Sequence, residues 1–250
     1  MKYFLTVMLL FSYFQTPAFA AEHCMPSAGE KLTFSVGWEF INAGSATMTV
    51  SEPKKDQYRI HTLAKTNKFL DIFKKVRDTI ISEGICIDGK SQSTRFELNQ
   101  HERKYRAKKI TTFDSPNQKV YYTQNGKTDN YDVSSGHLNV MDAFFRVRGL
   151  NLVPGESVKI PVFDARKTYE VTVHVGKKTK MLRAPWGGHV ECILIEPKLK
   201  TAGVFSSNGE IKIWMTNDSR HIPIKLIAKI KIGHIVGSLS HYQAPKQVTP

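Results

Sequence analysis

The sequence predicts a mainly β fold, with one long curled antiparallel sheet (a β-spiral, a half-barrel or a sandwich-like arrangement) and two short helices packed on it. Apolar and polar residues alternate through most of the 250 residues, which is typical of strands with one buried face. Turn pairs such as Asn-Gly and Pro-Gly separate the alternating runs. So many strands in one chain need a sandwich, a barrel or a long curled sheet.

The alternation is clearest at the start of the domain, where one face of a single run carries five apolar residues: Leu32, Phe34, Val36, Trp38 and Phe40. A turn and a second alternating run to Val50 follow, so the two runs predict a hairpin. Similar patterns predict further strands at 58–63, 79–87, 94–98, 104–113, 120–123, 158–163, 169–175, 190–195, 211–215, 224–232 and 235–239.

Two segments have helical spacing instead. In residues 66–76 the apolar residues recur at i, i+3, i+4 and i+7, and Thr66 or Asn67 is placed to cap a helix. Residues 138–148 have similar spacing, and Asp142 lies four residues before Arg146, which predicts an ordinary helical ion pair. We expect each helix to lay its apolar side on the sheet.

The first twenty residues are typical of a secretory signal peptide. Lys2 precedes an apolar run at 4–14, and the segment ends in Ala-Phe-Ala at 18–20. No later stretch approaches the roughly 18–20 apolar residues that a transmembrane span needs. The sequence therefore predicts a cleaved signal peptide at 1–20 and a periplasmic protein without a transmembrane span.

The rest of the chain is predicted to be a single β-rich domain at 21–243 with a flexible tail at 244–250; if it divides into two packed β halves, they join near 133–150. If the first four strands alternate in direction, Cys24 and Cys86 reach the same end of the sheet. In an oxidising compartment they should form a disulfide. Cys192 lies on the apolar side of its strand and is predicted to be a buried thiol.

The formal net charge is +14, and basic residues cluster at 74–77, 103–109 and 177–180. These runs indicate either solvated strand faces and turns or attraction to an anionic envelope surface such as lipid phosphate. No zinc-ligand spacing, RNA-binding aromatic motif or helix-turn-helix pattern accompanies them, so nucleic acid is not a predicted partner.

The stretch GICIDGKS at 84–91 fits the phosphate-binding pattern of nucleotide hydrolases, but that loop must open into a helix. Here an alternating, strand-like run follows, so the stretch predicts a hairpin whose tip is Asp88-Gly89. The nine histidines have no metal-ligand spacing, and no nucleophile elbow is present. The sequence therefore predicts no catalytic residues, no metal, no cofactor and no enzyme.

Several ordered motifs resemble the bacterial family catalogued as domain of unknown function 3108. They include Gly-Glu-Lys-Leu-Thr-Phe at 29–34, Asp-Ala-Phe-Phe-Arg-Val-Arg at 142–148 and Ile-Trp-x-Thr-x-Asp at 213–218. The likeness extends over about residues 29–242. It implies an exported, β-rich envelope protein, and it carries no established catalytic residues.

Six aromatic residues are the candidate ligand-binding set, because one predicted strand face and the two predicted helices carry them: Phe34, Trp38, Phe40, Phe73, Phe144 and Phe145. They either form the core or line an apolar pocket. The function expected is that of a non-catalytic envelope protein that binds a lipid, a lipoprotein or another apolar ligand. A hydrolase of envelope glycans or lipids and a scaffold without a cavity are the alternatives.

Overall fold

The fold was obtained as a computed structural model, which describes residues 24, 26–39, 41–198, 210–230 and 233–245. The predicted signal peptide, Phe40 and residues 246–250 of the predicted tail lie outside the described residues. Fourteen strands in the described part form one antiparallel sheet that is accompanied by two short helices. The predicted fold class is confirmed.

The strands are β1 Lys31–Trp38, β2 Ile41–Ser51, β3 Gln57–Thr66, β4 Arg77–Ile87, β5 Lys90–Glu102, β6 Tyr105–Asp114, β7 Lys119–Gln124, β8 Lys127–Asp132, β9 Ser157–Asp164, β10 Lys167–Arg183, β11 His189–Lys198, β12 Ile211–Thr216, β13 Pro223–Lys229 and β14 His234–Gln243. The helices are α1 Lys68–Lys74, between β3 and β4, and α2 Val140–Arg148, between β8 and β9.

The sheet has the strand order β8-β7-β6-β5-β4-β3-β2-β1-β14-β13-β12-β11-β10-β9. Almost every strand pairs with its neighbours in the chain, and the exception is the pairing of β1 with β14, which puts Lys31 opposite Gln243. The two ends of the domain therefore meet in the middle of the sheet. The middle of the chain, which contains α2, connects the two edge strands β8 and β9.

The two edges of the sheet approach each other through side chains. The ring of Phe163 in β9 lies 5.4 Å from that of Tyr131 in β8 and 6.3 Å from that of Phe113 in β6. One isolated bridge, between Leu138 and Val162, joins the segment before α2 to β9. The sheet thus curls towards a barrel without closing through backbone pairing of β8 with β9.

The GICIDGKS stretch at 84–91 forms the tip of the β4–β5 hairpin. β4 ends at Ile87 and β5 begins at Lys90, so Asp88 and Gly89 alone form the turn. Both have positive φ angles, 49° and 71°, as a tight two-residue hairpin requires. No helix follows, and the predicted hairpin is confirmed.

The predicted disulfide is also present: Cys24 and Cys86 are bonded, with 6.1 Å between their Cα atoms. Cys192 is a buried free thiol. Burial raises the pKa of that thiol to about 11, so it remains protonated at neutral pH and behaves as a small apolar side chain.

Helix α2 lies on the inner face of the curled sheet. Phe145 is fully buried and belongs to one core cluster with Ile60 and Phe96 of the first half of the sheet and with Cys192 and Ile224 of the second half. Val147 of α2 is buried in a second cluster under β9 to β12, against which Val140, Ala143 and Phe144 are partly buried. Since both halves pack on α2, this helix is the centre of the core.

Candidate functional site

Three of the six predicted aromatic residues come together at α2. Phe34 and Phe145 are buried in the same core cluster, and Phe144 is partly buried against it. The rings of Phe144 and Phe145 meet edge to face, with their centroids 5.4 Å apart. These residues fill the interior beside α2.

The other three aromatic residues do not join that cluster. Trp38, at the end of β1, is 36% exposed, and Phe73 of α1 is 60% exposed. Phe40 lies outside the described residues. Burial along β1 decreases after Phe34: Val36 is half-buried and Trp38 is exposed, so the apolar face that the alternation predicted is covered only in its first part.

Helix α1 is oriented with its polar side towards the protein. Asp71 accepts hydrogen bonds from the Arg77 guanidinium at 3.0 and 2.6 Å, and the Thr66 hydroxyl donates to the same carboxylate. Three large apolar side chains point outwards and are 58%, 74% and 60% exposed: Phe69, Ile72 and Phe73. The expectation that α1 lays its apolar side on the sheet is wrong, because Arg77 and Thr66 hold its carboxylate there instead.

At the other helix, a buried polar cluster holds the start of α2 on β4 and β5. The Asn139 side chain caps the helix by accepting from the backbone N–H groups of Met141 and Asp142 at 2.9 and 3.0 Å. The Asp142 carboxylate accepts from Ser82 of β4 at 2.7 Å and from Ser93 of β5 at 2.5 Å. The predicted ion pair of Asp142 with Arg146 is wrong, since these hydroxyls bind the carboxylate.

Tyr58 of β3 reaches towards the same cluster, and a glycine makes room for it. Gly84 lies opposite Tyr58 in the β3–β4 register, and a Cβ atom at Gly84 would lie 2.1 Å from the tyrosine hydroxyl oxygen. Any other residue at position 84 would displace the ring. Burial and the charge of Asp142 raise the pKa of Tyr58, so its hydroxyl remains protonated.

This cluster is not arranged as a catalytic site. Ser82, Ser93 and Asp142 are each 2% exposed or less, so a substrate has no access to them. No histidine hydrogen-bonds to either serine among the described residues. The cluster instead supplies hydrogen-bond donors to the buried carboxylate of Asp142. Burying a carboxylate without such donors is very unfavourable.

The carboxyl group of Asp142 should make the folded protein less stable as the pH rises. Burial raises its pKa from 3.8 to about 6, although hydrogen bonds from Ser93 and Ser82 oppose the rise. The folded chain therefore binds this proton more tightly than the unfolded chain. The resulting stabilisation is complete below about pH 4 and is lost as the pH rises through about 6, in total about 3 kcal/mol.

Urea unfolding of the wild type and of Asp142→Asn between about pH 4 and pH 7.5 measures this effect as a difference. Glu97 acts in the other direction: burial opposes its ionisation, but hydrogen bonds led by that from Asn99 lower its pKa to about 2. The contribution of Glu97 to the pH dependence cancels in the difference, because the wild type and Asp142→Asn both contain Glu97. A constant stability difference across the pH range would contradict the assignment.

The last turn of α2 is held by a buried ion pair. The Arg148 guanidinium donates to both carboxylate oxygens of Glu30 at 2.8 and 2.7 Å, and the two side chains are 1% exposed. Arg148 Nε also donates to the His221 carbonyl at 3.0 Å, and His221 Nδ1 lies 2.7 Å from the Arg148 carbonyl oxygen. This end of α2 is thereby joined to the residue before β1 and to the β12–β13 turn.

The described ranges contain no group of three or more His, Cys, Asp or Glu side chains that could hold a metal ion. In the same part of the chain, no helix is long and apolar enough to cross a membrane.

Sequence reasoning missed both anchors of α2. A buried carboxylate leaves little signal in the sequence, because its partners Ser82 and Ser93 are small polar residues in strands that contain several others. For Glu30 and Arg148 the only signal was their place in two of the motifs that resemble a family, and no spacing rule connects residues so far apart in the chain.

Comparisons with known proteins agree with this architecture. Among solved structures, a β-barrel-like protein of domain of unknown function DUF1849 from Brucella abortus is similar, with a TM-score of 0.61 at 10% identity over 88% of this chain and 99% of that one. A DUF1089 family protein from Pseudomonas aeruginosa gives a TM-score of 0.35 at 11% identity, over 72% of this chain and 87% of that one.

The first likeness shows the fold alone, and the second is too weak to support an argument. No curated protein matches this chain. The model of a family described as "Protein of unknown function (DUF3108)" matches residues 33–240, which is most of the sequence and includes β1 to β14 almost completely. The chain therefore belongs to the DUF3108 family.

Proposed function

We propose that this chain is an exported, non-catalytic protein of the cell envelope that binds lipid or lipoprotein at its outer surface rather than in an internal chamber. The observation that supports this most is the filled interior at α2. Phe145 is completely buried between both halves of the sheet. The helix is also fixed at both ends, by Asp142 and by Arg148.

Two features support export. The first twenty residues have the pattern of a signal peptide, and the Cys24–Cys86 disulfide is of a kind that persists in oxidising compartments. A binding role is favoured over hydrolysis because the most tightly arranged serines and carboxylate, at the start of α2, are enclosed in the core.

The proposal predicts that no lipid is held inside the protein. After purification from its own envelope and gel filtration, native mass spectrometry should show the mass of the processed chain without an acyl lipid. A fluorescent fatty acid should likewise not bind with a stoichiometry of one per chain, because acyl chains need an apolar cavity.

A substitution at Phe144 provides a further test for a lipid held inside the protein. Phe144→Trp enlarges the half-buried residue next to Phe145 and would block a pocket at α2. One lipid retained per chain, lost in Phe144→Trp, would contradict the proposal and favour an internal carrier. A chain that keeps residues 1–20 and remains in the cytoplasm would contradict export.

A further inference from the structure

The outward face of α1 is the most unusual surface in the described part of the molecule. A helix on the surface of a protein normally turns its apolar stripe inwards and its charges to water, whereas α1 does the opposite. Its carboxylate, Asp71, is paired with Arg77, and three of its four apolar residues, Phe69, Ile72 and Phe73, are exposed. Asn67 fixes this orientation by capping the helix and by donating to the Asn42 carbonyl at 2.5 Å.

Further exposed apolar residues lie at the same end of the sheet. The β1–β2 turn is next to α1, since Asn67 N–H donates to the Ala43 carbonyl at 3.0 Å. Trp38 and Ile41, which flank this turn, are 36% and 43% exposed. With the three residues of α1 they form what we call the α1 patch: Trp38, Ile41, Phe69, Ile72 and Phe73.

Basic side chains surround the α1 patch. The β5–β6 turn adjoins α1, because the Arg103 N–H donates to the Lys75 carbonyl at 2.8 Å. Exposed basic residues of α1 and of the neighbouring turns and strand ends at this end are Lys65, Lys68, Lys75, Arg103, Lys104 and Lys229.

Carboxylates at this end have partners within the protein. Asp71 binds Arg77, Asp78 accepts from the His101 N–H at 2.8 Å, and Glu39 accepts from the His234 N–H at 2.5 Å. Among the described residues, only Asp71 of these three has a Lys or Arg partner, and the six exposed Lys and Arg residues outnumber the three carboxylates, so the charge of this surface is mainly positive.

We propose that the α1 patch docks on an anionic phospholipid surface. Exposed Phe, Ile and Trp side chains suit the boundary between acyl chains and headgroups, and the surrounding Lys and Arg residues suit the headgroup phosphates. Contiguous exposed apolar groups with a polar rim mark an interaction site. The inference rests on the proposed function and specifies which surface meets the lipid and the charge of that lipid.

The test is binding of the exported, disulfide-bonded protein to vesicles of phosphatidylglycerol and phosphatidylethanolamine, compared with vesicles of phosphatidylcholine alone. Wild type should bind the anionic vesicles and bind phosphatidylcholine much more weakly. Ile72→Ser with Phe73→Ser should lower the partition coefficient about 100-fold, or about tenfold for each side chain, which corresponds to about 1.4 kcal/mol each.

Matched variants at the opposite end of the sheet provide the controls. Ile87→Ser with Met181→Ser removes two apolar side chains that are 43% and 56% exposed and should leave vesicle binding unchanged. For charge, Lys68→Gln with Lys104→Gln should weaken binding about fivefold for each lysine. Lys54→Gln with Lys55→Gln, in the distant β2–β3 turn, has the same change in net charge and should have a much smaller effect.

Wild-type protein that binds no anionic vesicles would overturn the docking proposal. Equal losses of vesicle binding in the α1 double variants and in their control double variants would overturn it too. Crosslinking of α1 to a protein, without vesicle binding, would overturn it in favour of a protein partner. None of these outcomes bears on the prediction that no lipid is held inside the protein. Conversely, one lipid retained per chain and lost in Phe144→Trp would refute the proposed function even if vesicles bind.

Discussion

Replacing Arg148 by methionine should lower the free energy of unfolding by about 3–5 kcal/mol, because it leaves the carboxylate of Glu30 buried without its partner. The two side chains are 1% exposed and joined by two hydrogen bonds. Methionine retains most of the length of the arginine side chain, so packing against Phe145 changes little. Chemical denaturation at neutral pH measures the loss.

Two controls separate this effect from a general effect of removing charge. Arg59→Met breaks a pair with Glu83 in which the arginine side chain is 49% exposed, and it should cost at most about 1 kcal/mol. Glu30→Gln combined with Arg148→Met removes both charges and should recover much of the stability. A cost below about 1 kcal/mol for Arg148→Met alone would show that the pair does not hold α2 in place.

Replacing Phe145 by alanine should destabilise the protein by about 3–5 kcal/mol, the range for large-to-small changes at fully buried aromatic residues. The ring contacts Phe144 edge to face, and the Arg148 guanidinium lies 5.1 Å above it. Alanine would therefore leave a cavity where the two halves of the sheet meet. The unfolding free energy, together with binding of a hydrophobic dye, reports the loss and any loosening of the core.

Phe73→Ala is the matched control, since it removes the same side chain from α1, where it is 60% exposed. We expect it to change the stability by no more than about 0.5 kcal/mol. If the two alanine variants were equally stable, α2 would not be the centre of the core.

Most of the strands were predictable because one face of each is buried, and burial imposes the alternation of apolar and polar residues. β8 has the sequence Lys-Thr-Asp-Asn-Tyr-Asp and is almost entirely exposed, so it has no alternation and was missed. The second part of β10, from Lys177 to Arg183, was missed for the same reason: its residues are nearly all exposed.

The candidate sites were less predictable, since they depend on contacts between distant residues. The spacing of α1 predicted a helix correctly, but its orientation follows from the pairing of Asp71 with Arg77 in the next strand. The position of Asp142 likewise depends on Ser82 and Ser93, which the β4–β5 hairpin brings together. Periodicity shows which side of a helix is apolar and cannot show what that side contacts.

The strand order also has a consequence for how the chain folds. Within each half, β1 to β8 and β9 to β14, strands pair with their neighbours in the chain, so these contacts are local and close short loops at little entropic cost. The pairing of β1 with β14 joins residues as distant as Lys31 and Gln243, and such non-local pairing is slow. The Cys24–Cys86 bond lies wholly within the first half and does not depend on that step. Two hairpin arrays can therefore form early and independently, and the pairing of β1 with β14 then unites them into one sheet.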